Sequence, residues 1–363
     1  MVIVYCGELW CGGTCRMRLE ALERLGHTVI GVDSAYRPTG PVGFAVRALR
    51  KLGYAADPVC VNEALFAAAA RHQPEVVWID KGLTIRPSTL TRVREQRPGV
   101  RLVHYSPDDM GGRHNQSWQY LKSVPLYDLH VTTKSFNVPE LYAKGARAVL
   151  MLNNAYCPHI HRPMHITPTD RTQLGGPVGF IGAFEGERSE AIWFLTQHGV
   201  QVRVWGDGWA RWAARHQHPN IRVENRPLWG DDYARAICSF DINLGFLRKL
   251  NRDLQTTRSV EIPACGGFLL AERTGEHQSL FREGIEAEFF ASHGELLEKW
   301  RFYLGHPDER VKIAASGRKR CLSSDYSYRR HAALALRHLE ELRTNGALTK
   351  ITAPAGPKTV VRQ

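Results

Sequence analysis

Asp253 and Glu261 are two carboxylates eight positions apart in residues 252–267, RDLQTTRSVEIPACGG. Between them stand Thr256 and Thr257, either of which can cap a short helix. Arg252 and Arg258 add positive charge beside it. A helix start carries unpaired backbone N–H groups and the positive end of the helix dipole, so it attracts an anion. This spacing puts Asp253 before the helix and Glu261 on it. Two carboxylates flanking a phosphate site accept hydroxyl hydrogen bonds from a sugar and a ribose, while the helix end holds a diphosphate. A buried corner between this helix and an apolar strand at 268–271, with surface charges around it, explains the same residue types.

A second group follows the apolar run 101–105, in SPDDMGGRHNQS. Ligands of open α/β sheets lie outside the carboxyl ends of the strands. That rule makes Asp108, Asp109 and His114 candidate catalytic groups, with Arg113 and Asn115 nearby. A surface-loop role for His114 is the competing reading. The two aspartates are adjacent rather than D-x-D, so no metal–diphosphate site is read here. A third group is the turn after the run 2–5. Gly12, Gly13 and Thr14 would approach a donor or acceptor there, unless the glycines serve only a tight turn. The turn is not G-x-G-x-x-G, which argues against a dinucleotide oxidoreductase.

The elements that must position these groups alternate. Residues 2–5 read as a strand, the stretch from Thr14 as a helix with Met17, Leu19, Leu22 and Leu25 on one side, and 28–32 as a strand. Further strands are expected at 75–79, 101–105, 127–133 and 148–152, with helices at 63–72, 87–97 and 138–144. Residues 156–177 are rich in Pro, His and Gly and read as a linker. His159, His161 and His165 lie in it without a carboxylate or cysteine at ligand spacing, so they are read as linker histidines rather than metal ligands. A second alternating set follows, with strands at 178–181, 200–205, 221–223, 241–245 and 287–290. Ser292 and Glu295 form a capping box before another helix. Helices at 307–320 and 326–342 end the ordered pattern, and residues beyond Gly346 read as a disordered tail. Two strand–helix–strand sets imply two doubly wound parallel sheets.

The run R-S-V-E-I-P-A-C-G-G-F-L-L-A-E resembles the signature of the CgeB-like branch of group 1 glycosyltransferases, which have the GT-B fold. The wider superfamily has two acidic residues separated by seven, the second just before an A-x-A-C-G-like segment. Here the first acid is Asp253 rather than Glu. Cys265 and Gly266 match, and Pro263 stands where a helix former is more usual. L-W-x-G-G-T near the start, D-D-M with H-N-Q-S, Y-D-L-H-V-T-T-K-S-F-N and S-x-Y-S-Y-x-R resemble the same branch. The resemblance implies an α/β GT-B protein: an acceptor-side Rossmann-like domain at 1–160, a linker at 161–177 and a nucleotide-sugar domain at 178–325. A crossover helix at 326–346 would return to the first domain, and 347–363 would be tail. It implies transfer of a sugar from a nucleotide-diphosphate sugar, with retention of configuration. Arg188 falls at the place of a diphosphate-binding arginine, Glu261 would take the ribose and Asp253 the sugar. The donor set is then Gly12, Gly13, Arg188, Arg252, Asp253, Thr256, Thr257, Arg258 and Glu261. Arginine and helix dipole would replace a metal, and no cofactor is expected.

Length and charge set bounds on this. A chain of 363 residues suggests two domains. Its 48 basic and 36 acidic side chains give +12, which favours acidic partners or simply a solvated basic surface. The eight cysteines lack paired C-x-x-C spacing and read as reduced thiols. No run reaches membrane-spanning length, and the start shows no signal pattern, so a cytoplasmic protein is expected. The acceptor stays open among glycan, protein, lipid and nucleic acid. Two rival readings stay open as well: a non-catalytic sugar-nucleotide-binding or spore-coat-type structural protein, and a glycosyltransferase acting on nucleic acid.

Overall fold

Short runs of β-branched and aromatic residues become strands here because both of their faces are covered. VVWID at Val76–Asp80, for example, is buried at every position. The computed structural model describes residues 1–36 and 39–346. In the first domain the strands are β1 Val2–Gly7, β2 Thr28–Asp33, β3 Val76–Asp80, β4 Arg101–Ser106, β5 Leu129–Thr132 and β6 Val149–Met151. In the second they are β7 Gly176–Ile181, β8 Val202–Trp205, β9 Ile221–Val223, β10 Phe240–Gly245, β11 Leu269–Glu272 and β12 Glu288–Phe290. Each set forms one six-stranded sheet, in the orders β2-β1-β3-β4-β5-β6 and β12-β11-β10-β7-β8-β9. Every pairing within them is parallel. The first strand of each half lies inside its sheet, and growth reverses beside it. The resulting crevices open at the carboxyl ends of β1 and β3, and of β7 and β10.

The halves are tied by two crossings that pair with each other. Tyr156 N–H donates to the Tyr326 carbonyl, and Tyr328 N–H donates to the Tyr156 carbonyl, both at 3.0 Å. Beyond this point the helix Tyr328–Gly346 returns to the first domain. Its Ala332, Ala335 and Leu339 join Leu19 and Leu22 of the helix Thr14–Glu23 in one core. Each fully buried leucine there contributes about 1.5–3 kcal/mol relative to exposure. The last helix is therefore part of the first domain's core.

Strand and helix limits differ from the sequence expectation by a residue or two at most ends. Five helices went unread: Gly40–Lys51, Trp118–Ser123, Ala210–Ala213, Gly275–Leu280 and Pro168–Leu174. The last lies inside the segment read as a structureless linker. Its signal is Thr167-Pro168-Thr169-Asp170: Thr167 accepts from the Asp170 N–H, and Asp170 accepts from the Thr167 N–H. At Ser292 only half of the expected box forms, since Glu295 accepts from Ala291 rather than Ser292. The expected tail at 347–363 lies outside the described residues.

Candidate active site

The crevice between β7 and β10 opens into a cavity of about 820 Å³ that reaches the first domain. Its walls are the loops after the two strands, residues 183–188 and 248–258, with Pro107, Asp108, Lys134 and Asn154 opposite. Two arginines dominate it. The guanidinium carbons of Arg188 and Arg258 lie 5.7 and 5.6 Å from the centroid of the Phe180 ring. Arg188 is buried and gives its hydrogen bonds to the carbonyls of Leu247 and Ala183. Its nearest carboxylate, Glu185, is 3.7 Å away and is engaged by Arg248 at 2.7 Å. Burial, reinforced by the neighbouring Arg258 charge, brings the Arg188 pKa down to about 10. Arg258 donates weakly to the Phe246 carbonyl, and its Nε is buried without a partner. Among the described residues no carboxylate pairs with Arg258. Among the described residues the only carboxylate that pairs with either arginine is Glu185, which Arg248 engages more closely, so two like charges are left under-compensated and the site favours an anion.

The helix bearing Glu261 runs Arg258–Ala264. Neither expected threonine caps it through its side chain: Thr257 is the N-cap without such a bond, and Ser259 Oγ accepts from the Thr256 N–H instead. Thr256 and Thr257 still line the large cavity with Arg258. Glu261 faces a smaller adjoining cavity of about 240 Å³, which shares Ala183, Thr257 and Arg258 with the first. Tyr233 donates its hydroxyl to Glu261 Oε2 at 2.7 Å. His161, read from sequence as a linker residue, is buried with Nε2 3.7 Å from Glu261 Oε1. The Cys157 N–H donates to its Nδ1, which leaves the Nε2 proton directed at that carboxylate. Burial lowers the His161 pKa despite Glu261, so the ring is neutral at pH 7. Gly12 lines the same cavity at φ +89°, and a Cβ there would lie 3.1 Å from Trp229 Cβ. Glycine is required at this turn for both reasons. Gly13 lies under the Trp10 ring instead, and Trp10 meets Trp229 edge-on at 4.6 Å across the domain boundary. On the expectation that Glu261 takes a ribose, Glu261→Gln weakens one charge-assisted acceptor and should lower donor affinity about tenfold. Calorimetry on the folded variant checks this.

The structure puts Asp109 and Arg252 to a use other than the expected one. Asp109 is 1% exposed and lines none of the cavities described here. Arg252 grips both of its oxygens at 2.7 and 2.8 Å and holds Glu140 at 2.9 Å. Asn137 Nδ2 and the N–H groups of Gly111 and Gly112 complete the carboxylate. Burial would raise the Asp109 pKa, but the Arg252 and Asn137 bonds prevail and hold it below the usual carboxylate range. Arg252 adopts φ +47°, a strained conformation for a non-glycine residue, to reach across the boundary. This ion pair is an inter-domain clamp. Asp109→Asn is expected to lower the melting temperature by several degrees, through roughly 1.5–3 kcal/mol of lost charged hydrogen bonding, and to leave nucleotide affinity unchanged. Thermal melts and calorimetry on one preparation separate the two effects.

Asp253 does line the large cavity. Lys134 of the first domain and Asn251 both donate to its Oδ1, at 2.5 and 2.8 Å. Asp108, next to the clamp in sequence, lines the 820 Å³ cavity and also a 580 Å³ cavity at the β1–β3 crevice. Its Oδ2 accepts from Lys81 Nζ at 2.6 Å. Burial would raise the Asp108 pKa, but Lys81, followed by Lys134 and Arg248, holds it below the ordinary value. It is therefore ionised at neutral pH. His114 lines the first-domain cavity from the single 3-10 turn Arg113–Asn115, where it is exposed. Sequence reasoning missed Lys81, Lys134, Arg248 and Asn154. Asn154 is buried in the cavity wall with its side-chain N–H₂ unpartnered. No local pattern announces these four, because their partners come from the other domain or from distant strands.

Two parallel six-stranded sheets facing a cleft, with a returning last helix, define the GT-B class. Residues 188–337 match the family model described as Glycosyl transferase-like. No curated protein sequence matches the chain. Among solved structures, sucrose-phosphate synthase from Thermosynechococcus elongatus is similar at TM-score 0.63 and 13% identity, over 96% of this chain and 100% of that one. Anabaena HepE in complex with UDP-glucose is similar at TM-score 0.63 and 13% identity, over 95% and 100%. The α,α-trehalose 6-phosphate synthase of Burkholderia multivorans is similar at TM-score 0.63 and 11% identity, over 98% and 99%. At such identities the likeness is one of fold. The likeness gives the chain the GT-B fold, and the matched segment is similar to glycosyltransferases over most of the second domain.

Proposed function

We propose that the two adjoining second-domain cavities hold a nucleotide-diphosphate sugar, and that its sugar passes to a hydroxyl group in the first-domain cavity. The observation that carries this reading is the Arg188–Arg258 pair, whose one ion-pairing carboxylate among the described residues, Glu185, is held more closely by Arg248. In this reading the nucleoside lies in the smaller cavity, with its ribose hydroxyls on Glu261. The diphosphate spans the junction at Thr257, Arg258 and Arg188. Asp253 Oδ2 and the Asn154 side chain take hydroxyls of the sugar. The bond between C1 and the diphosphate oxygen breaks, and its electron pair leaves with the diphosphate, where the two guanidinium groups stabilise it. The acceptor oxygen bonds to C1 and loses its proton to the departing diphosphate on the same face, which retains configuration. Ionised Asp108, between donor and acceptor cavities, orients the incoming hydroxyl and offsets positive charge developing on the sugar ring.

The motif resemblance supports placing the chain in the CgeB-like branch. UDP-glucose is the first donor to test, because HepE was crystallised with it. With two arginines at the diphosphate, no metal is needed in this reading. Chelator-treated protein should therefore keep its donor hydrolysis and its transfer. Strict dependence on added magnesium or manganese would remove the arginines from that role.

A further inference from the structure

The helix Gly40–Lys51, GPVGFAVRALRK, presents its apolar side to solvent. Its Val46, Arg47 and Arg50 line the 580 Å³ first-domain cavity, so the edge facing protein carries the charge. Val42, Phe44, Leu49 and Leu52 are 62%, 70%, 39% and 83% exposed. Ala45 and Ala48 are exposed between them. At about 100° per residue these six positions fill one arc of roughly 160°, bordered by Arg47 and Lys51. The patch continues onto a second element. The Trp118 N–H donates to the Gly53 carbonyl at 2.7 Å, which brings Trp118 and Leu121, both exposed, alongside Leu52. Lys122 places its ammonium 4.0 Å from the Trp118 ring.

We propose that this face docks the protein on the surface of an anionic lipid bilayer. A short helix with one apolar face, flanking cations and a tryptophan at its rim has the composition of an interfacial helix. The apolar arc lies on one convex helix rather than in a groove, which suits acyl chains and headgroups better than a folded protein ligand. Lys51, Lys122 and a chain charge of +12 complement anionic headgroups. No helix among the described residues is long and apolar enough to cross a membrane, so the helix lies on the bilayer rather than through it. Docking also places on the lipid surface the helix that walls the first-domain cavity from its other side. The proposal stands independently of the sugar-transfer reading.

The test is co-sedimentation of the full chain with vesicles of phosphatidylcholine alone or mixed with phosphatidylglycerol, at low and high salt. Wild type should bind the mixed vesicles, bind phosphatidylcholine far less, and release as salt rises. The Phe44→Glu/Leu52→Glu variant should lose vesicle affinity by roughly tenfold or more, while its melting temperature stays at the wild-type value. Absence of binding, equal binding to both vesicle types, or equal binding by the folded variant would overturn the proposal. So would a wild-type dimer in sedimentation velocity that the variant dissolves, because the face would then be a contact between copies.

Discussion

Arg258→Met protein is expected to melt higher than wild type and to transfer sugar about 10²–10³-fold more slowly. The two effects share one cause. Arg258 sits beside Arg188 against Phe180 without a carboxylate, and its Nε is buried unpartnered. In the unliganded protein this arrangement costs stability, and an apolar side chain of similar length relieves it by about 1 kcal/mol, the low end for an unsatisfied polar group. That corresponds to a rise of roughly 2–4 °C. In the proposed reaction the same charge stabilises the leaving diphosphate, and losing one such donor costs about 2.7–4 kcal/mol of barrier lowering. Melting curves and initial rates on one preparation test both halves. A less stable variant with normal turnover would show that Arg258 is a structural residue.

Asp108→Asn should lower transfer by about 10²-fold or more while nucleotide-diphosphate affinity stays within about twofold. The carboxylate lines both the second-domain and the first-domain cavity, and in the proposed arrangement the arginines hold the diphosphate from the second domain. Stability should change little, because the Lys81 side chain is 39% exposed and an ion pair at such a position contributes little. The pH profile carries a further expectation. Surrounding cations depress the Asp108 pKa against the effect of burial, so the acidic limb due to its protonation lies below the range of an ordinary aspartate. Normal transfer by Asp108→Asn, with wild-type affinity, would move the reacting centre elsewhere.

The contrast between Asp108 and Asp109 shows where sequence reading stops. The run of apolar residues at 101–105 told that a strand ends near Ser106, and the α/β architecture told that its carboxyl end faces the cleft. Which of two adjacent aspartates faces the cavity depends on the turn that follows, and on Arg252, 143 positions away. Charge beside the acidic motif made Arg252 look like a diphosphate ligand. Its guanidinium is spent on Asp109 and Glu140, and only the folded chain brings those together. Arg188, Arg258 and Glu261 were legible because one short segment and one βα turn position them. The helix Pro168–Leu174 was not read, because Pro and His density hid its capping residues. The exposed face of Gly40–Lys51 was not, because an amphipathic helix gives no local sign of which side meets the protein.

Arg188 and Arg258 are proposed to form a nucleotide-diphosphate site. Isothermal titration of the wild-type chain, Arg188→Ala and Arg258→Ala with nucleoside diphosphates, beginning with UDP, tests it most directly. One diphosphate should bind wild type at a single site, its monophosphate more weakly, and each variant at least tenfold more weakly at unchanged fold. A diphosphate that bound both folded variants as tightly as wild type, or a wild-type protein that bound none of the panel, would contradict the account.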